Sequence, residues 1–67
     1  MKLIDREYNA FQNQYTNTWM ANDASEITTD FDPEGGVGSM IIVVSAGCTY
    51  IKNADSKWQK FGSTEVI

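Results

Sequence analysis

One continuous apolar run, Met40-Ile41-Ile42-Val43-Val44, stands in a chain otherwise mixed in polarity, and two turn signals follow it. Ser45-Ala46-Gly47 is a short connection with glycine where a hairpin loop wants its left-handed residue. Asn53-Ala54-Asp55-Ser56 is a polar stretch suited to a type I turn. The spacing predicts a three-strand antiparallel meander over Ser39–Val44, Cys48–Lys52 and Lys57–Phe61. The run has apolar residues on both faces, Met40, Ile42 and Val44 on one and Ile41 and Val43 on the other, whereas a one-sided sheet would alternate. Either the rest of the chain covers one of these faces or a second subunit does.

A 67-residue chain forms one domain at most, and a domain of that size buries only about 60% of the surface its unfolded chain exposes. Small domains compensate with disulfides, a metal or association. Cys48 is the single cysteine and there is no histidine, which removes the intrachain disulfide and the common zinc sites. Association remains. Hydrophobic residues at 42% suffice for a core.

A net charge of −4 offers no general attraction to nucleic acid or to an anionic membrane. No apolar run approaches the length of a membrane-spanning helix, and no hydrophobic segment follows the first lysine as in a cleaved leader. A free cysteine fits synthesis in a reducing compartment. Neither nucleic acid nor membrane is therefore expected as a partner.

Before the meander, Ile4, Tyr8, Phe11 and Tyr15 recur at helical intervals, yet Asn9, Asn13 and Asn17 weaken a helix. Lys2 to Phe11 is expected as an extended arm or a short helix, and Gln14 to Ala21 as a strand because of its β-branched and aromatic residues. Residues 1–13 then form an amino-terminal arm and 14–67 a small β-rich domain. Asp23 and Glu26 carry the spacing of a capping box for one helical turn. Thr28, Thr29 and Pro33 end it, and a glycine-rich loop leads to Ser39. In the meander, Cys48, Tyr50 and Lys52 share one face, opposite Thr49 and Ile51, and Trp58 and Lys60 oppose Lys57, Gln59 and Phe61. The tail is expected to fray or to pair elsewhere through Val66 and Ile67. The fold class is mainly β: a meander, an amino-terminal strand or arm, and one short helical turn.

Asp30-Phe31-Asp32-Pro33-Glu34-Gly35 matches the opening of a calcium loop, but the twelfth position, where a bidentate glutamate belongs, is Ile41. A solvated acidic loop without metal is expected. Gly35-Gly36-Val37-Gly38-Ser39 has the glycines of a phosphate loop without its lysine or its strand-to-helix setting. Cys48 has no signal of activation, no histidine is present to act as a base, and no cofactor is implied. Aromatics such as Trp19 and Trp58 suit core or interface packing, with an exposed carbohydrate-binding or adaptor face as the alternative use.

The run Thr49-Tyr50-Ile51-Lys52-Asn53, a polar pair, then Lys57-Trp58-Gln59-Lys60-Phe61, preceded by the Gly38-Ser39 step and by Arg6-Glu7-Tyr8-Asn9-Ala10-Phe11, resembles small virion structural proteins of tailed bacteriophages. The resemblance implies a non-enzymatic, head-associated decoration or fibre-base subunit, made in the host bacterial cytoplasm and located in the virion. Such a subunit would self-associate, by analogy as a trimer, and dock on a larger phage structural protein such as the major capsid protein. The expected docking residues are Leu3, Ile4, Tyr8 and Phe11, which have no place in a three-strand sheet. Trp19, Met40, Ile42, Val44, Tyr50 and Trp58 are expected in the core or an interface.

Overall fold

The computed structural model describes residues 1–67 as one five-stranded mixed sheet with strand order β1-β2-β3-β4-β5. The strands are β1 Lys2–Asn9, β2 Gln14–Ala21, β3 Met40–Val43, β4 Cys48–Lys52 and β5 Trp58–Lys60, with a single 3₁₀ turn at Ala24–Glu26. The protein is mainly β, and the predicted meander is present: β3 pairs antiparallel with β4, and β4 with β5. Gly47 closes the first turn at φ 61°, as its position after Ser45-Ala46 required.

Of the two conformations expected for residues 2 to 11, the helix does not form. β1 pairs antiparallel with β2 from Lys2↔Met20 to Asn9↔Gln14, with a bulge between Leu3 and Asp5. The boundary expected at residue 13 therefore falls in the turn of a hairpin. The seven-residue separation of Tyr8 and Tyr15, two turns in a helix, is here the separation of a cross-strand pair, and their rings meet edge to face at 5.4 Å.

β2 pairs in parallel with β3, in the register Thr18↔Met40 to Ala21↔Val43. A parallel neighbour cannot be reached by a tight turn; it needs a crossover of a dozen residues or more. The crossover here runs from Asn22 to Ser39 and begins with the expected capping box. The Asp23 side chain accepts from Ser25 N–H, while the Glu26 carboxylate accepts from the Asp23 N–H. The Met1 ammonium also reaches Glu26, at 3.0 Å.

That crossover covers the Ile41/Val43 face. Ala21, Ile27, Ile41, Val43, Tyr50 and Trp58 form the buried core, with Trp19, Ala24, Phe31, Cys48 and Ile67 packed around it. Tyr50 and Trp58 thus belong to the core and not to an interface. The tail does not fray: Gln59 bridges Val66, Lys60 N–H donates to Glu65 O, and Ile67 N–H donates to Trp58 O.

Candidate functional site

Strand parity puts Lys52 on the core face beside Tyr50, and the structure buries it to 4% exposure. An ammonium taken out of water needs partners of opposite polarity. Lys52 Nζ donates to the carbonyl oxygens of Asp32 and of Gly35, the latter at 3.0 Å. It also lies 5.1 Å from the centre of the Trp58 ring, a cation–π distance. Burial pushes the Lys52 ammonium below the usual lysine range, and the nearby Asp32 carboxylate acts the other way.

Asp32 is held from the opposite side of the loop. Its carboxylate accepts from Trp19 Nε1 at 3.0 Å and from Asn17 Nδ2 at 3.1 and 3.2 Å. It takes the left-handed region at φ 53°, which aspartate tolerates better than most residues. Trp58 Nε1 donates to Phe31 O at 3.0 Å, and Asn17 N–H donates to Ser39 Oγ at 3.1 Å. Asn17 Oδ1 is buried without a partner. The opposite amide orientation would turn that oxygen onto the Asp32 carboxylate, so the amide nitrogen faces the stronger acceptor.

The two loop motifs resolve into structural roles. In the stretch that opens like a calcium loop, Asp30 and Glu34 are exposed, Asp32 turns inward, and the positive charge its backbone meets is the lysine of the same chain. The glycine-rich stretch makes no cradle for phosphate, because its amides are committed within the chain. Gly35 donates to Asp32 O, Gly36 to Tyr15 O, Val37 to Gln12 Oε1, Gly38 to Lys52 O and Ser39 to Gly36 O. A Cβ on Gly35 would lie 2.8 Å from Asp32 Cγ and 3.0 Å from Ser39 Oγ.

The opposite face of the sheet is uncovered. Met40, Val44, Met20 and Phe61 are exposed, Phe61 to 73%, and Ile42 and Ile51 are half-buried beside them. Cross-strand register makes neighbours of Met20, Ile42 and Thr49, and of Thr18, Met40, Ile51 and Gln59. Leu3, Ile4, Tyr8 and Phe11 are exposed on β1 and its turn, with Phe11 wholly in solvent. A shallow depression beside the turn is lined by Glu7, Tyr8, Asn9, Phe11 and Thr16. The structure separates the expected interface residues into three sets: Tyr50 and Trp58 are buried, Trp19 is half-buried on Asp32, and Met40, Ile42 and Val44 lie on the open face. Trp19 and Trp58 do not form an exposed pair, so they offer no sugar platform. The role of Lys52 was signalled only by its inward parity after Tyr50.

No protein-family model, curated protein or solved structure matches the chain.

Proposed function

We propose that this protein is a non-enzymatic structural subunit of a bacteriophage virion, a head-associated decoration or fibre-base component. It self-associates and docks on a larger virion protein such as the major capsid protein. The observation that carries the reading is the open face of Met20, Met40, Ile42, Val44 and Phe61 on a domain whose buried core lies against the opposite face. Apolar sheet surface left in water favours burial against another surface. The one residue that burial would activate, Lys52, directs its ammonium to two carbonyls and an aromatic ring inside the chain, which suits a fastening role. The placement in a virion rests on the resemblance of the Thr49–Phe61 run to phage structural proteins. A trimer is the proposed state by the same analogy.

Mass spectrometry of purified virions produced from the genome that encodes the chain tests the reading. The expected result is the protein at a copy number that is a multiple of its oligomeric state. Virions that assemble with the gene expressed and the protein absent would overturn it.

A further inference from the structure

The two margins of the sheet are finished differently. The β5 margin is closed by the returning tail, with Val66 bridged to Gln59 and Ile67 N–H bonded to Trp58 O. The β1 margin has no strand beside it, since β1 ends the sheet order. The Thr16 hydroxyl donates to Glu7 O, so the Glu7 carbonyl faces β2. Alternation along an antiparallel strand then turns the N–H and C=O of Arg6 and Tyr8 outward. These groups await an extended backbone.

We propose that Asp5–Asn9 is a strand-addition site for an extended basic segment of a larger protein, with lysine or arginine at alternate positions opposite Asp5 and Glu7. The proposal deepens the docking role given above to the first strand. Asp5 and Glu7 lie opposite Thr18 and Thr16 of β2, and the chain's ion pairs, Met1–Glu26 and Lys60–Glu65, leave both carboxylates without a cation. Arg6 points to the other face, over the Tyr15 ring at 4.1 Å. On the free margin Asp5 and Glu7 occupy the positions between bonded pairs, where cross-strand side chains approach most closely. The bulge at Leu3/Asp5 interrupts the regular edge, so the site begins at Asp5.

The same pattern argues against a second copy as the occupant. Two β1 margins related by a two-fold axis through the sheet pair residues of the same face. Centred on Asp5 or Glu7, the pairing sets a carboxylate against itself; centred on Arg6, it sets Arg6 against Arg6 and Asp5 against Glu7. Centred on Tyr8, it overlaps only Glu7 to Asn9 before the turn. Pairing β1 with the β5 margin of another copy is blocked by the tail. Edge charges and a bulge are devices that reject wrong strands, and here they select by sign.

The test uses the intact chain and two fluorescent octapeptides, one alternating lysine with valine and one alternating glutamate with valine. The lysine peptide is expected to bind about tenfold tighter, the order expected of two cross-strand charge pairs. It should slow hydrogen exchange at the Arg6 and Tyr8 amides, and the Asp5→Lys, Glu7→Lys double variant should reverse the preference. No binding, binding that leaves those two amides unprotected, or a preference unchanged in the double variant would overturn the site. So would protection that rises with protein concentration in the absence of peptide, which would assign the margin to a second copy. Because the assay reads the isolated chain, its outcome is independent of whether the protein is found in virions.

Discussion

The Lys52 ammonium lies 3.0 Å from the carbonyl oxygen of Gly35, and this contact fastens the crossover to the strand beneath it. The loop has few apolar anchors of its own beyond Ile27 and Phe31, so its path across β4 and β5 depends on groups that collect its carbonyls. Lys52 does this for Asp32 and Gly35, and Trp58 Nε1 for Phe31.

Lys52→Met keeps the length of the side chain and removes the charge. It leaves the buried carbonyls of Asp32 and Gly35 without their donor, at a cost of about 1–3 kcal/mol. Urea unfolding measures it. Asp32→Asn combined with Lys52→Met is expected to cost less than the sum of the two single substitutions, since the Asp32 charge acts on Lys52 and both hold the same loop. Additive losses would show that the lysine and the carboxylate act separately.

Gly35→Ala tests how closely the loop is seated. The new methyl would meet Asp32 Cγ at 2.8 Å, and Asp32 cannot swing away without releasing Trp19 and Asn17. The expected loss is about 1–3 kcal/mol, with altered amide shifts at Asp32 and Ser39. Gly38→Ala meets nothing within 4 Å but stands at φ 95°, so its cost is backbone strain and the Asp32 environment is left alone.

Much of this architecture was legible in the chain, for reasons that differ from element to element. Met40–Val43, Cys48–Lys52 and Trp58–Lys60 were readable because β-branched and aromatic residues alternate between turn residues whose conformations are local. β1 was ambiguous because Tyr8 and Tyr15 are seven apart, a spacing shared by two helical turns and by a hairpin with a four-residue turn. The parallel pairing of β2 with β3 was not legible. It depends on an 18-residue crossover whose course is decided by distant partners such as Trp19 for Asp32 and Lys52 for Gly35. Parity placed Lys52 on the same face as Tyr50, but no local signal shows which loop carbonyls will reach it.

Stability should rise with pH at both ends of the range. Glu26 is held below the usual glutamate range, first by the Asp23 N–H and then by its bond to the Met1 ammonium, and Asp23 is lowered by bonds from Ser25. Their contribution is complete above the ordinary carboxylate values and is lost as pH falls through the lowered folded-state values. Lys52 is also lowered, chiefly by burial. The unfolded chain therefore binds the extra proton between the folded value and the ordinary value of about 10.4, and stability climbs across that window. Denaturation series on the wild type and on Glu26→Gln check the acid limb, and Lys52→Met checks the alkaline one. Glu26→Gln should make the acid limb shallower, with the Asp23 share remaining, Lys52→Met should flatten the alkaline limb, and each should leave the other limb unchanged.

The open sheet face yields the last prediction. Met40 is 36% exposed and Phe61 73%, and they stand on the side opposite Ile41 and Trp58, so neither supports the core. A Met40→Glu, Phe61→Glu double variant should melt within a few degrees of the wild type, because surface changes away from packed groups shift stability by about 0.5 kcal/mol or less. The same change places two carboxylates on the surface proposed for self-association, where an unpaired buried charge is costly. Sedimentation equilibrium should find the wild type as an oligomer at micromolar concentration and the double variant as a monomer. A wild-type chain that sediments as a monomer would remove self-association. An oligomer that persists in the double variant would move the contact off this face, to the β1 margin or to the exposed turn around Phe11.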